Sequence, residues 1–78
     1  MPTIQLRGDH ITVAQAVKAA GLADSGGHAK HLVRDGKIRV NGEVVNQPGR
    51  KLVAGNRLAL SDGGEEWILV SDASAKHG

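Results

Sequence analysis

Asn41-Gly42 stands between two short runs, Ile38-Arg39-Val40 and Glu43-Val44-Val45. An Asn-Gly pair in that setting is the strongest short-range signal for a two-residue hairpin, because both turn positions need φ > 0. It fixes an antiparallel pair near the middle of the chain, and the residues before it must deliver the backbone to that pair. They read as a short helix. Ser25 is a suitable N-cap, since its hydroxyl can accept from an unpaired N–H of the first turn. Ala29, Leu32 and Val33 fall at i, i+3 and i+4 on one face, and Gly36 is the stop. Lys30, Arg34 and Lys37 share a neighbouring face. In the strand that follows, Ile38 and Val40 point one way, Lys37 and Arg39 the other. Residues 25–42 thus combine an apolar underside with a cationic upper side.

The flanking sequence supplies partners for that underside. Ile4 and Leu6 alternate within residues 3–6, a short edge strand, and residues 7–10 form a turn. Thr12 and Gln15 have the spacing of a capping box, with Ile11 placed to staple onto Ala16. Val13, Ala16, Val17 and Ala20 make a buried stripe that ends at Gly21, and residues 22–24 lead at once into Ser25. Beyond the hairpin, Asn46-Gln47-Pro48-Gly49 is a break with Arg50-Lys51 on its far side. Residues 52–60 contain two extended pieces separated by Gly55-Asn56, with Leu58 and Leu60 inward. Asp62-Gly63-Gly64 turns the chain into a last apolar strand over residues 67–70. The expected fold is α+β, two short packed helices with a small antiparallel sheet. It forms one domain over residues 1–70, with 71–78 a small polar tail that frays.

The chain has 78 residues and no cysteine, so a thin core must hold by packing alone, as suits a reducing compartment. No apolar run approaches the roughly 18 residues of a membrane span, and the first residues lack the apolar core of a signal peptide. A soluble, cytoplasmic, monomeric protein is expected. The net charge of +2 is unevenly spread. Seven Lys or Arg stand against two acids in residues 25–57, whereas one Lys stands against four acids from residue 58 onward. Such segregation points to a polyanionic partner for the middle of the chain, the alternative being a solvated surface that happens to be basic.

Side chains that carry chemistry are sparse. The serines sit at a helix cap, in turns and in the tail, without a base and an orienting group beside them, so no enzyme is expected. His28 and His31, at i and i+3, are too few ligands for a metal ion, and His10 and His77 have no defined relation to them; no metal or cofactor is expected. The two imidazoles fit the exposed side of the second helix, near the basic strip. Trp67, the single aromatic residue, is a stacking platform for a base or a core residue. Glu65 and Glu66 before it and Ile68-Leu69 after it favour the core. Gly26-Gly27 is the oddity, costing about 1 kcal/mol per glycine relative to alanine inside a helix. One reading is steric room for the incoming chain. The other is a set of bare N–H groups that, with Lys30, receive an anion. The sequence leaves both open.

Two short helices followed by Gly36-x-Ile38-x-Val40-Asn41-Gly42 and a later Gly55 resemble the S-four RNA-binding domain, also called the alpha-L RNA-binding motif, over about residues 11–60. Ser25-Gly26-Gly27-x-Ala29-Lys30 and Gly49-Arg50-Lys51-Leu52 look most like its small stand-alone bacterial members linked to ribosome maturation. The resemblance implies binding of structured RNA, ribosomal or transfer RNA, and association with ribosomal subunits, through the helix pair and the loop that follows. The residues placed in that surface are Ser25, Gly26, Gly27, His28, Lys30, His31, Arg34, Lys37, Arg39, Asn41, Arg50 and Lys51. Two positions depart from the family pattern. Gly26 replaces an arginine usual after the cap serine in the ribosomal-protein branch, which shifts weight to Lys30, Arg34 and the backbone, and Gly55-Asn56 replaces Gly-Asp. A helix-turn-helix DNA reader is the rival, yet its second helix would open on base-reading side chains rather than Gly26-Gly27. A ubiquitin-like sulfur carrier needs a C-terminal Gly-Gly, and Gly63-Gly64 is internal.

Overall fold

The computed structural model describes residues 2–6 and 8–71. Arg7, expected to begin a turn, and residues 72–78 of the expected tail lie outside them. In chain order the elements are β1 (Thr3–Leu6), β2 (Ile11–Thr12), α1 (Val13–Ala19), α2 (Gly26–Arg34), β3 (Ile38–Val40), β4 (Glu43–Val45), β5 (Lys51–Leu52), β6 (Arg57–Leu60) and β7 (Glu66–Ser71). Ser71, assigned to the tail on sequence, is the last residue of β7.

Both helices start and stop where local chemistry places them. Thr12 caps α1 through a complete capping box: its Oγ1 accepts from Gln15 N at 3.2 Å, and Gln15 Oε1 accepts from Thr12 N at 3.0 Å. Ser25 caps α2, its Oγ accepting from His28 N at 3.2 Å. Each helix ends in a Schellman motif. Gly21 N donates to Lys18 O and Leu22 N to Val17 O after α1; Gly36 N donates to Val33 O and Lys37 N to Leu32 O after α2. Gly21 and Gly36 have φ of +80° and +73°, a conformation that other residues adopt only with strain. Two tight reversals follow, and the second delivers the chain straight into β3.

The main sheet has the order β1-β7-β6-β3-β4, and β2 and β5 form a separate two-residue ladder. Asn41 and Gly42, with φ of 53° and 86°, close the β3–β4 hairpin as expected. Every pairing in the main sheet is antiparallel except β1 with β7, which run parallel in the register Ile4↔Leu69. Sequence periodicity carried no sign of that exception: β1 meets its neighbour only after the whole intervening chain has crossed the molecule.

Register sorts the side chains by face. Ile4 opposes Leu69, Leu58 opposes Trp67 and Val40, and Ile38 opposes Val45 and Leu60. These residues turn toward Val13, Ala16 and Val17 of α1 and Ala29 and Val33 of α2, forming one core that also takes in Leu52 of β5. The opposite face of the sheet carries Arg39, Val44, Arg57, Ala59 and Glu66, with Arg57 Nη1 and Glu66 Oε1 3.6 Å apart. Trp67 faces the core and packs against it, partly buried, in keeping with its assignment to the core rather than to a stacking platform. It stands near the start of β7.

Because Leu58 is completely enclosed while Val53 is 50% exposed, truncation should separate them. Leu58→Ala should cost about 2–5 kcal/mol and Val53→Ala within about 0.5 kcal/mol in urea denaturation. Equal losses would contradict the single core.

Candidate nucleic-acid interface

The loop of residues 46–50 is held onto the helix pair by its backbone. Val13 N donates to Arg50 O at 2.9 Å and Ala14 N to Pro48 O at 3.1 Å, while β5 pairs with β2 in the register Thr12↔Lys51. An α-helix begins with N–H groups that have no partner within the helix. In α1 the loop carbonyls and the capping box satisfy Thr12, Val13, Ala14 and Gln15 together. The same contacts fix Arg50 and Lys51, both exposed, beside the start of α1.

The start of α2 is left open. Ser25 Oγ serves His28 N and Ser25 O serves Ala29 N, but no acceptor among the described residues meets the N–H groups of Gly26 and Gly27. Both glycines are exposed and neither has φ > 0. A Cβ added at Gly26 would meet nothing within 4 Å, and one at Gly27 only Ser25 Oγ at 4.0 Å. The steric reading of the pair is therefore overturned: no described residue would collide with a Cβ at either position. What remains is a helix start with bare N–H groups and the positive end of its dipole facing solvent.

Around it stand the cations. Lys30 and Arg34 follow Gly26 at four-residue steps along α2, one face of the helix. His31 lies beside them, also exposed. Lys37 sits at the corner between α2 and β3. Lys30, Arg34, Lys37, Arg39, Arg50 and Lys51 are all exposed, and none makes an ion pair among the described residues, where Arg57 and Glu66 form the one salt bridge. No group of three or more His, Cys, Asp or Glu able to hold a metal occurs among those residues.

Besides Ser25, the cap of α2, two of the sequence-selected residues have structural duties. His28 Nδ1 accepts from Asp24 N at 3.2 Å, which pins the turn before α2. Asn41 Oδ1 accepts from Arg57 N at 2.9 Å, tying the hairpin to β6 and leaving the Asn41 amide nitrogen for another partner. Arg39 is separated from the others: its neighbours Ile38 and Val40 are buried under the helices, so its side chain emerges on the opposite face of the sheet.

Sequence reasoning missed Lys18 and Gln15. Lys18 lies on the exposed side of α1, and together with Lys30 and the backbone at Gly49 it borders a groove of about 370 Å³ between the helices and the loop. The signal was available, for Lys18 falls outside the stripe Val13, Ala16, Val17, Ala20. What gave it meaning was the return of the loop across α1.

A helix pair on a small sheet, with a basic loop folded back on the pair and an unsatisfied helix start between them, defines a compact RNA-binding module. Residues 4–69 match the model of the S4 domain family, and the chain belongs to that family of RNA-binding domains. Among curated proteins it is 34% identical over 73 residues to the small ribosomal subunit protein uS4 of Anaeromyxobacter sp. (strain Fw109-5), covering 94% of this chain and 33% of that protein. It is 32% identical over 78 residues to the tyrosine–tRNA ligase of Novosphingobium aromaticivorans, covering all of this chain and 17% of the ligase. The tyrosine–tRNA ligase of Ralstonia nicotianae is 36% identical over 55 residues, 70% of this chain and 14% of the ligase. The chain thus spans a third or less of the length of these relatives.

Since a methyl group fits at Gly27 without a clash, Gly27→Ala should stabilise the helix by up to about 1 kcal/mol. In a domain of this size that is a rise in Tm of up to roughly 4–8 °C, read by a thermal melt. A fall in Tm would show that the chain does not enter α2 through helical backbone at this residue.

Proposed function

We propose that the chain is a non-catalytic binder of structured RNA, ribosomal or transfer RNA, acting in the cytoplasm in ribosome assembly or maturation. The observation that carries this reading is the contrast between the two helix starts: the chain caps α1 with its own loop carbonyls and leaves α2 open beside unpaired cations. RNA phosphates supply what that surface lacks, acceptors and negative charge. The names of the relatives, a ribosomal protein and tRNA ligases, support those two RNA classes as partners. No helix among the described residues is long and apolar enough to cross a membrane.

In this reading Lys30, Arg34, Lys37, Arg50 and Lys51 meet phosphates, and Ser25, Gly26 and Gly27 offer the α2 backbone. His28, His31 and Asn41 lie at the margin, and Arg39 adds charge from the far face of the sheet. About four to six phosphate contacts give a log–log salt slope of roughly −3 to −5, with the single-strand and duplex coefficients as limits. Titration of a structured ribosomal RNA transcript at several salt concentrations checks this, and a slope near zero excludes a phosphate-dominated interface. Arg34→Ala and Arg50→Ala should each weaken binding and flatten the slope by about one unit or less without loss of fold. Arg39→Ala should change it least. Gly27→Ala should lower affinity while Tm rises, and unchanged affinity would remove the α2 start from the interface. Crosslinking in cells followed by sequencing of the bound RNA identifies the partner.

A further inference from the structure

The groove between the helices and the loop is unlike the rest of the basic surface, because its lining is mostly apolar. Ala14 and Pro48 form its walls, Gly26 and Gly49 leave it open, and Lys18 and Lys30 border it. No acidic side chain lines it. At about 370 Å³ it falls at the lower end of small-ligand pockets, which run from about 300 to 1,000 Å³. A phosphate backbone lying across the surface needs no such recess.

The polar side chains inside point to the kind of occupant. Gln15 Oε1 is committed to Thr12 N, which fixes the amide orientation and leaves its NH₂ as the free part. Thr12 Oγ1 already accepts from Gln15 N, leaving the hydroxyl hydrogen. The two ammonium groups are donors only. The side chains therefore offer hydrogen-bond donors and positive charge around an apolar floor, which suits a group with an apolar ring, acceptor atoms on its edge and a phosphate attached.

We propose that this groove takes one unstacked nucleotide of the bound RNA. Its sugar and base lie in the groove against Ala14 and Pro48, an acceptor on the base edge meets the Gln15 amide, and its phosphate lies between Lys18 and Lys30. The inference rests on the RNA-binding reading and deepens it: a base inside a duplex is paired and stacked and cannot enter, so the partner must present a bulge, loop or end.

The test uses two RNA hairpins that differ only in one bulged 2-aminopurine nucleotide. The wild-type protein should bind the bulged hairpin about tenfold more tightly than the fully paired one, the scale of one well-held nucleotide, and should change the 2-aminopurine fluorescence. Two variants that keep the fold probe the groove. Gly26→Leu places a side chain at its edge, where a Cβ meets nothing within 4 Å. Gln15→Glu keeps the capping-box acceptor but removes the amide donors. Each should bring the preference for the bulged hairpin to within about twofold, as a ratio insensitive to a general change in charge. Equal binding of the two hairpins by the wild type, or a preference that survives both variants, overturns the nucleotide site while RNA binding stands. Binding of neither hairpin, nor of the ribosomal transcript, overturns the RNA-binding reading on which it rests.

Discussion

The two hydrogen bonds from Val13 N and Ala14 N to the carbonyls of Arg50 and Pro48 tie together parts of the chain more than 30 residues apart. The rest of the surface depends on them. They complete the N-terminus of α1, set the short ladder of β2 with β5, and draw Leu52 into the core beneath. Without them the 46–51 segment would be a loop with two cations at no fixed place. With them, Arg50 and Lys51 stand beside the start of α1, and the loop borders an open groove between itself and the helices. A backbone contact that is purely structural in its chemistry thus assembles one side of the basic surface.

The same bonds explain an asymmetry between two helices of similar length. Both have a hydroxyl cap and both end in a Schellman motif on a glycine. They differ in what meets the first-turn N–H groups: loop carbonyls for α1, nothing among the described residues for α2. A helix start left without acceptors faces water at no great cost, since water serves as the acceptor. Such a start can exchange that water for phosphate. Gly26 and Gly27 cost helix stability and leave that start uncovered. The acidic side chains near the cationic strip do not neutralise it. Asp35 ends α2 without an ion pair among the described residues, and Glu66 is engaged by Arg57 on the far face of the sheet.

The fold was legible in outline. The Asn41-Gly42 hairpin, the Thr12–Gln15 box, the Ser25 cap and the glycine stops are local devices. Each acts through atoms within a few residues, so the sequence names them directly and the structure repeats them. Lys30 and Arg34 follow in the same way, because helical spacing alone puts them on one face. Trp67 was assigned to the core from its neighbours, the acids before it and Ile68-Leu69 after it, and it packs against the core, partly buried. Arg39 was placed on the opposite side of its strand from Ile38 and Val40, yet grouping it with the helix cations needed knowledge of where the helices lie.

What the sequence by itself determined was therefore the set of helices and turns, the strands other than β2 at their approximate places, the apolar faces that had to meet, and the family, through a pattern of glycines and caps spread over most of the chain. Tertiary structure alone decided three things. It set β1 parallel beside β7, it carried the 46–50 loop back onto α1, and it opened the groove that recruits Lys18 and Gln15. The physical reason is common to all three. They rest on contacts between segments distant in the chain, whose pairing follows from burying every apolar face in one core and satisfying backbone groups across it, and no local periodicity encodes which distant partner will meet that need.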